Sequence, residues 1–206
     1  MPLHLVNYID VLGTFSFAVS GAFAAKEKRL DLFGVFILAF VTSIGGGTIR
    51  DMLLGDLPVD WMQHPATGWV IVVGAVGSLF FGRHLQQMQK VLNIFDALGL
   101  GLFTIIGIQK GLSHGLSPAV CIALGTITGC FGGVIRDVFL NKVPMIFQKE
   151  IYASAAITGG SIYFLLAALQ VPEIMRATLT ILLIFIIRMI VVRYKLDLPV
   201  WNTPKI

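Results

Sequence analysis

Two stretches of the sequence place glycines next to an arginine and an aspartate. Residues 45–51 read Gly-Gly-Gly-Thr-Ile-Arg-Asp, and residues 132–137 read Gly-Gly-Val-Ile-Arg-Asp. Both lie within or at the end of long apolar segments, where a charged group costs about 2.5 to 3.5 kcal/mol to insert and normally pairs or faces water. Charges in this setting are typical of an ion pathway or of ion pairs that join neighbouring helices, and the two roles are compatible.

The glycines favour an interruption of the helices that carry them. Glycine in a helix interior costs roughly 0.5 to 1 kcal/mol relative to alanine, so we expect a kink or an unwound turn whose freed backbone groups face a water-filled cavity. Close packing of helices is the alternative explanation. With the hydroxyl residues that precede the glycines, the predicted pore-lining residues are Thr42, Ser43, Gly45, Gly46, Gly47, Thr128, Gly129, Gly132 and Gly133.

The elements that hold these residues are predicted to be membrane-spanning helices. Of the 206 residues, 56% are hydrophobic and 13% are charged, which is about half the charged fraction of a soluble domain. The apolar runs have roughly the 20 residues that a helix needs to cross a bilayer. We therefore predict an all-α membrane protein with seven transmembrane helices, near residues 4–25, 32–54, 66–82, 91–109, 116–140, 151–171 and 175–192.

Most basic residues fall on one side of this predicted membrane. That side receives Lys26, Lys28, Arg29, Arg83, Lys90, Lys142, Lys149, Arg193, Lys195 and Lys205, and the other receives Lys110 and Arg176. The positive-inside rule then places the N-terminus outside and the C-terminus in the cytoplasm, in the cell inner (plasma) membrane. Orientation also accounts for the net charge of +4, and since no basic cluster with interleaved aromatics is present, we expect no nucleic-acid partner.

The two halves of the chain are related by an internal repeat. An offset of 86 residues aligns 10–58 with 96–144 without a gap and brings the two glycine strings into register. We predict a single transmembrane domain over 1–206, with repeat 1 at about 4–85, repeat 2 at about 90–171 and an extra helix at about 175–192. Since each repeat crosses the membrane three times, the second is inverted, and the site is expected near the midplane where the repeats meet.

Each repeat also carries an aspartate that enters the membrane on the side of its own arginine. Asp10 accompanies Arg50, and Asp96 accompanies Arg136. Because an unpaired arginine in a narrow pore repels cations, we expect one aspartate to neutralise each arginine and one carboxylate per mouth to attract cations. The predicted charged gate or mouth consists of Asp10, Arg50, Asp51, Asp96, Arg136 and Asp137.

Catalysis and metal binding have little support in the sequence. The histidines His4, His64, His84 and His114 lie at helix ends or in loops without metal-ligand spacing. A phosphate-binding loop, a zinc-protease motif and a nucleophile elbow are all missing from the sequence. Ser20 lies between a valine and a glycine, as in an intramembrane serine protease, but no histidine lies at membrane depth to act as its base. We therefore expect no enzyme activity, no fixed metal and no cofactor.

The two glycine strings resemble those of the prokaryotic trimeric intracellular cation channels, the TRIC family, and the likeness extends over nearly the whole chain. The resemblance implies a homotrimer in membrane lipid, with a potassium-favouring pore for monovalent cations in each subunit and kinked second and fifth helices lining it. Related bacterial domains have been described as small amino-acid transporters, so a carrier for glycine or a similar solute is the alternative. A structural scaffold, the third class, would leave the duplicated charges without a solvent path.

Overall fold

The computed structural model describes residues 3–80, 85–147, 151–194 and 196. These residues form eight α-helices and one 3₁₀ turn at Met145–Phe147. The helices are α1 (Leu3–Glu27), α2 (Leu32–Leu54), α3 (Asp60–Gln63), α4 (Ala66–Phe80), α5 (Leu85–Ser113), α6 (Pro118–Phe139), α7 (Ala153–Ala168) and α8 (Glu173–Tyr194). Of the residues used for orientation or discussed as histidines, Arg83, His84, Lys149, Lys195 and Lys205 lie outside the described residues.

The prediction of an all-helical membrane protein is confirmed. Helices α1, α2, α5, α6 and α8 are long and apolar enough to cross a bilayer, and α4 and α7 are shorter apolar helices of 15 and 16 residues. The bounds of α2 agree with the predicted 32–54. Helix α5, at 29 residues, is longer than the predicted 91–109 at both ends, because residues 85–90 and 110–113, which the prediction assigned to loops, continue the helix.

Helices α1 and α5 form the centre of the fold. α1 packs against α2 and α4 as well as α5, and α5 packs against α6 and α8. Reciprocal contacts bring the central pair together: the Phe103 ring packs against Gly13, and the Phe17 ring packs against Gly99, where a Cβ would overlap it. Both glycines, and both phenylalanines, are separated by the offset of 86 residues.

The predicted interruptions of the two glycine-bearing helices, α2 and α6, are wrong. Both are uninterrupted α-helices, through residues 45–47 and through residues 132–133. The glycines instead allow the helix backbones to touch, since a Cβ on Gly46 would overlap the carbonyl oxygen of Thr128, and one on Gly132 would overlap that of Thr42. Close helix packing, the alternative explanation, therefore accounts for these two positions.

This packing predicts that Gly46→Ala destabilises the protein. A methyl group there is forced against backbone that cannot move aside, and overpacking of this kind costs about 1 to 3 kcal/mol. We expect the melting temperature of the purified protein to fall by roughly 3 to 10 °C. Gly77→Ala is the matched control, because Gly77 also lies inside a helix but has open space where the Cβ would be. Equal melting temperatures for Gly46→Ala and Gly77→Ala would show that α2 and α6 are not in backbone contact.

Candidate functional site

A cavity of about 780 Å³ lies between α1, the end of α5 and the segment from α3 to the start of α4. We call it the Asp10 cavity. Its charged and polar lining comprises Asn7, Asp10, Thr14, Arg50, Asp60, His64, Thr67, Gln109, Lys110, Ser113 and Glu173. A cavity with this many polar groups can hold water and ions inside a helix bundle whose outer surface faces lipid.

A smaller cavity of about 30 Å³, enough for roughly one water molecule, continues the Asp10 cavity into the protein. The two share Asp10, Thr14 and Arg50 as lining residues. Ser43 and Gly47, both predicted to line the pore, face this smaller cavity. The polar space thus extends from the surface to the glycine string of α2.

Arg50 is neutralised by its neighbour along the chain. Its Nη2 lies 2.7 Å from Asp51 Oδ1, and its Nε donates to the same oxygen at 2.8 Å. The other oxygen of Asp51 accepts a hydrogen bond from the backbone N–H of Asp60 at 2.9 Å, which fixes the carboxylate. Asp10 makes no hydrogen bond or ion pair with any described residue. The Asp10 carboxylate therefore lines this cavity as a negative charge without a hydrogen-bonded partner among the described residues.

The arginine of the second string lies in a closed cluster. Arg136 is 1% exposed, and its Nη1 lies 2.6 Å from Asp96 Oδ1 while its Nη2 lies 2.9 Å from Asp137 Oδ1. The same Nη1 donates to the Ser20 hydroxyl at 2.7 Å. We call these four residues the Asp96 cluster. Both aspartates contact the arginine here, unlike the expectation of one free carboxylate at each mouth.

An aromatic side chain covers the Asp96 cluster. The Tyr152 hydroxyl lies against Gly133, which also faces Asp96 and Arg136. Arg188, from the helix outside the repeats, places its guanidinium 4.6 Å from the centre of the Tyr152 ring and donates to the carbonyl of Ile151 at 3.0 Å. The cluster is therefore sealed by groups that the two glycine strings do not contain.

Differences between equivalent positions explain why one end is open and the other closed. At the offset of 86 residues, Tyr152 corresponds to Ala66, and Ser20 corresponds to Ile106. Ala66 and Ile106 both line the Asp10 cavity. Ala66 thus lines the open cavity at the position equivalent to the tyrosine that covers Arg136, and the apolar Ile106 lines it at the position equivalent to the serine whose hydroxyl contacts that guanidinium.

Two phenylalanines separate the Asp10 cavity from the Asp96 cluster. The rings of Phe17 and Phe103 have their centroids 5.2 Å apart, and both side chains are buried. Phe17 lies on α1 between Thr14, which lines the cavity, and Ser20, which belongs to the cluster. Neither ring was predicted as a site residue, although the two are equivalent in the sequence repeat, and that equivalence was the available signal.

The remaining predicted pore-lining residues lie in contacts within or between helices. The hydroxyls of Thr42 and Thr128 donate to the carbonyls one turn earlier, both at 2.6 Å. A Cβ on Gly129 would press against the Leu100 carbonyl, and Gly45 packs on the side chain of Ile135. Among the residues that the structure describes, no group of three or more histidines, cysteines or acidic residues is arranged to hold a metal ion.

Comparison with known proteins finds relatives over nearly the full length of the chain. A family model described as "Glycine transporter" matches residues 7–83 and 93–168. The UPF0126 inner membrane protein YadS of Escherichia coli (strain K12) is 38% identical over 201 residues, which cover 95% of this chain and 95% of that protein. A UPF0126 membrane protein of Vibrio cholerae is 38% identical over 202 residues, covering 98% of this chain and 84% of that one.

Solved structures of similar proteins share the fold. The TRIC trimeric intracellular cation channel orthologue from Rhodobacter sphaeroides superimposes with a TM-score of 0.87 at 34% identity, covering 93% of this chain and 99% of that one. A prokaryotic TRIC channel crystallised in 0.5 M KCl gives a TM-score of 0.87 at 31% identity, covering 95% and 99%.

Proposed function

Since this chain belongs to the TRIC family, which the Glycine transporter model describes, we propose that it is a potassium-favouring channel for monovalent cations in the inner membrane. The proposed channel is not an enzyme and uses no bound cofactor, so the permeant cation is its ligand. Two solved relatives that superimpose over more than nine tenths of this chain are described as cation channels. The single observation that carries the proposal is the free Asp10 carboxylate in a cavity whose arginine is already neutralised.

We further propose that all seven longer helices cross the membrane as two inverted three-helix repeats and the extra helix α8. Reciprocal contacts support this arrangement: Gly13 meets Phe103 while Gly99 meets Phe17. Contacts of this kind are expected when two equivalent halves are related by a two-fold axis. The excess of basic residues on one side supports an N-terminus outside and a C-terminus in the cytoplasm, which places the Asp10 cavity at the outer face.

The proposed assembly is a homotrimer in membrane lipid with one conduit in each subunit. A solved relative is described as trimeric. The Asp10 cavity lies among helices of both repeats, with Asp10 on α1, Arg50 on α2 and Gln109 on α5, and we place the conduit between these helices of one subunit rather than on the three-fold axis.

The proposed conduit begins in the Asp10 cavity, passes the Phe17–Phe103 pair and ends at the Asp96 cluster. The pairing of Arg50 with Asp51 matters for this path, because an unpaired charge 4 Å from a cation would repel it by about 4 kcal/mol at an effective dielectric constant of 20. With Arg50 neutralised, Asp10 gives the cavity a negative potential that concentrates cations. The phenylalanine pair and the Asp96 cluster interrupt the path in this conformation and must move for ions to pass.

A carrier for glycine, which the family description suggests, is the competing function. A carrier can also present a cavity to one side of the membrane between inverted repeats. The Asp10 cavity, at about 780 Å³, is far larger than a glycine molecule, so a carrier would need a smaller solute site within it. The description of two solved relatives as cation channels favours the channel.

Asp10→Asn tests the role of the free carboxylate. We expect potassium efflux from liposomes containing the purified variant to be about three- to tenfold slower than with the wild type, because the cavity loses the charge that concentrates cations. Asp31→Asn is the matched control, since Asp31 is an exposed N-cap of α2 and asparagine caps a helix equally well. Efflux at the wild-type rate from Asp10→Asn liposomes, or saturable glycine uptake without potassium efflux by the wild type, would contradict the proposal.

A further inference from the structure

Three ionisable side chains meet beside the Asp10 cavity, where the segment after α2 reaches the end of α5. Gly55 ends α2 in a left-handed conformation (φ 76°) that turns the chain. The carboxylate of Asp56 then lies 3.0 Å from Lys110 Nζ and 3.1 Å from His114 Nε2. Lys110 also lines the Asp10 cavity, so these three residues, which we call the mouth cluster, connect the segment after α2 to the lining of the cavity.

Both ring nitrogens of His114 face hydrogen-bond acceptors. Nε2 faces the Asp56 carboxylate, and Nδ1 lies 2.9 Å from the backbone carbonyl oxygen of Lys110. The Ser113 hydroxyl donates to that same carbonyl, at 2.8 Å. A neutral imidazole has one N–H and satisfies only one of the two acceptors, whereas the imidazolium donates to both. The geometry therefore selects the protonated ring.

The charges around the ring also favour protonation. The hydrogen bond to the Lys110 carbonyl and the contact with Asp56 raise the pKa of His114 above its ordinary value of 6.5, against the opposing effect of the Lys110 ammonium. Lys110 first, and then His114, lower the pKa of Asp56. Below the raised pKa of His114, the imidazolium donates to both the Asp56 carboxylate and the Lys110 carbonyl. As the pH rises through that pKa, the ring loses one proton and with it one of these two hydrogen bonds.

The opposite end of the protein carries an equivalent tie without a histidine. At the offset of 86 residues, Lys142 corresponds to Asp56. Lys142 Nζ lies 3.2 Å from Oε1 of Glu27, at the end of α1. This ion pair contains no imidazole, the side chain whose charge changes between about pH 5 and 8. Both ends therefore have an ion pair between equivalent segments, but of these two contacts only the one beside the Asp10 cavity includes a histidine.

We propose that the mouth cluster is a proton sensor that regulates the channel from one side of the membrane, with His114 as the sensing residue. Protonation of His114 completes the tie between the segment after α2 and the end of α5, and it adds a positive charge at the entrance. Both effects oppose cation entry, so acid on the side of the mouth cluster lowers potassium conductance. The proposal rests on the proposed channel function.

Bilayer recordings with the pH changed on one side at a time test the sensor. We expect the conductance of the wild type to be roughly threefold lower at about pH 5.5 than at about pH 8.5 when one side is acidified, with no response from the other. His114→Gln should show a clearly smaller difference between the two pH values than the wild type, the remainder coming from the other titratable groups of the cavity, and the permanently charged His114→Arg should already be at the lower level at about pH 8.5. His4→Gln is the matched control, since His4 is an exposed histidine that does not line the cavity, and it should respond to pH like the wild type.

Melting temperatures provide a readout that needs no current. A group with a raised pKa stabilises the fold only while protonated, so His114→Gln should lower the melting temperature at about pH 5.5 and leave it unchanged at about pH 8.5. A wild-type pH response in His114→Gln, or equal losses of melting temperature at both pH values, would overturn the sensor. Absence of current at every pH would overturn the channel function, and the melting temperatures would then decide separately whether the tie depends on protons.

Discussion

Replacing Asp51 with asparagine is expected to lower potassium conductance at least tenfold. The variant leaves Arg50 unpaired beside the cavity, and a unit charge 4 Å from a permeating cation repels it by about 4 kcal/mol at an effective dielectric constant of 20. A third of that energy corresponds to a tenfold change in rate. Asparagine keeps an oxygen that can accept the hydrogen bond from the Asp60 N–H, so the change acts mainly on charge. Single-channel conductance in a potassium gradient measures the effect.

The double variant Arg50→Gln with Asp51→Asn provides the control. It removes both charges, so conductance should return to within a few-fold of the wild type. The reversal potential adds a readout that loss of folding does not mimic, because an unpaired Arg50 should shift the selectivity of the single variant toward anions. Unchanged conductance and selectivity in Asp51→Asn would mean that Arg50 and Asp51 only fasten the end of α2 and do not face the conduit.

Replacing Phe103 with alanine is expected to raise potassium conductance by roughly tenfold or more. The Phe17–Phe103 pair blocks the space between the Asp10 cavity and the Asp96 cluster, and an apolar constriction of this kind excludes both water and ions. Removing one ring extends the cavity to the Asp96 cluster, and the expected rise follows because we take the apolar ring pair as a higher barrier to a cation than the polar cluster. The deletion also costs about 3 to 5 kcal/mol of stability, so conductance must be measured on protein shown to remain assembled.

Phe15→Ala is the matched control for this change. Phe15 lies on α1, the helix that carries Phe17, and packs against Phe95 of α5 with ring centroids 6.2 Å apart, but it faces a different part of the core. It should lose comparable stability without any rise in conductance. Equal conductance in Phe103→Ala and the wild type would place the constriction elsewhere.

The sequence was sufficient to predict the class of fold, because long apolar runs and their breaks report directly on a membrane environment. It was not sufficient to distinguish a broken helix from a closely packed one. In a closely packed helix, a backbone carbonyl of the other helix lies against the glycine, as the Thr128 carbonyl lies against Gly46. The amino acids around position 46 do not reveal that contact, because it depends on a residue 82 positions away in the sequence. The four-residue helix α3 was missed because it spans little more than one helical turn, which is too short for an amphipathic pattern to repeat.

The sequence predicted which charged residues form the site, but it did not predict that the site is open at Arg50 and closed at Arg136. Both Arg-Asp strings were visible, and the pairing of Arg136 with Asp96 follows from their common side of the membrane. The motif is the same in both repeats, however, so it could not show that one end is open. That difference comes from two residues outside the motif: Ala66 lines the open cavity, and Tyr152 covers Arg136. Their effect can be recognised only from the packed structure.

Single-channel recording of the purified wild-type protein in a planar bilayer, under a potassium chloride gradient, tests the central claim most directly. The proposed conduit of each subunit, with the free Asp10 carboxylate at its entrance, predicts stepwise currents whose reversal potential lies near the potassium equilibrium potential. One conduit per subunit predicts up to three equal levels in a trimer. An electrically silent protein that instead takes up glycine into liposomes with saturable kinetics would contradict the channel and identify a carrier.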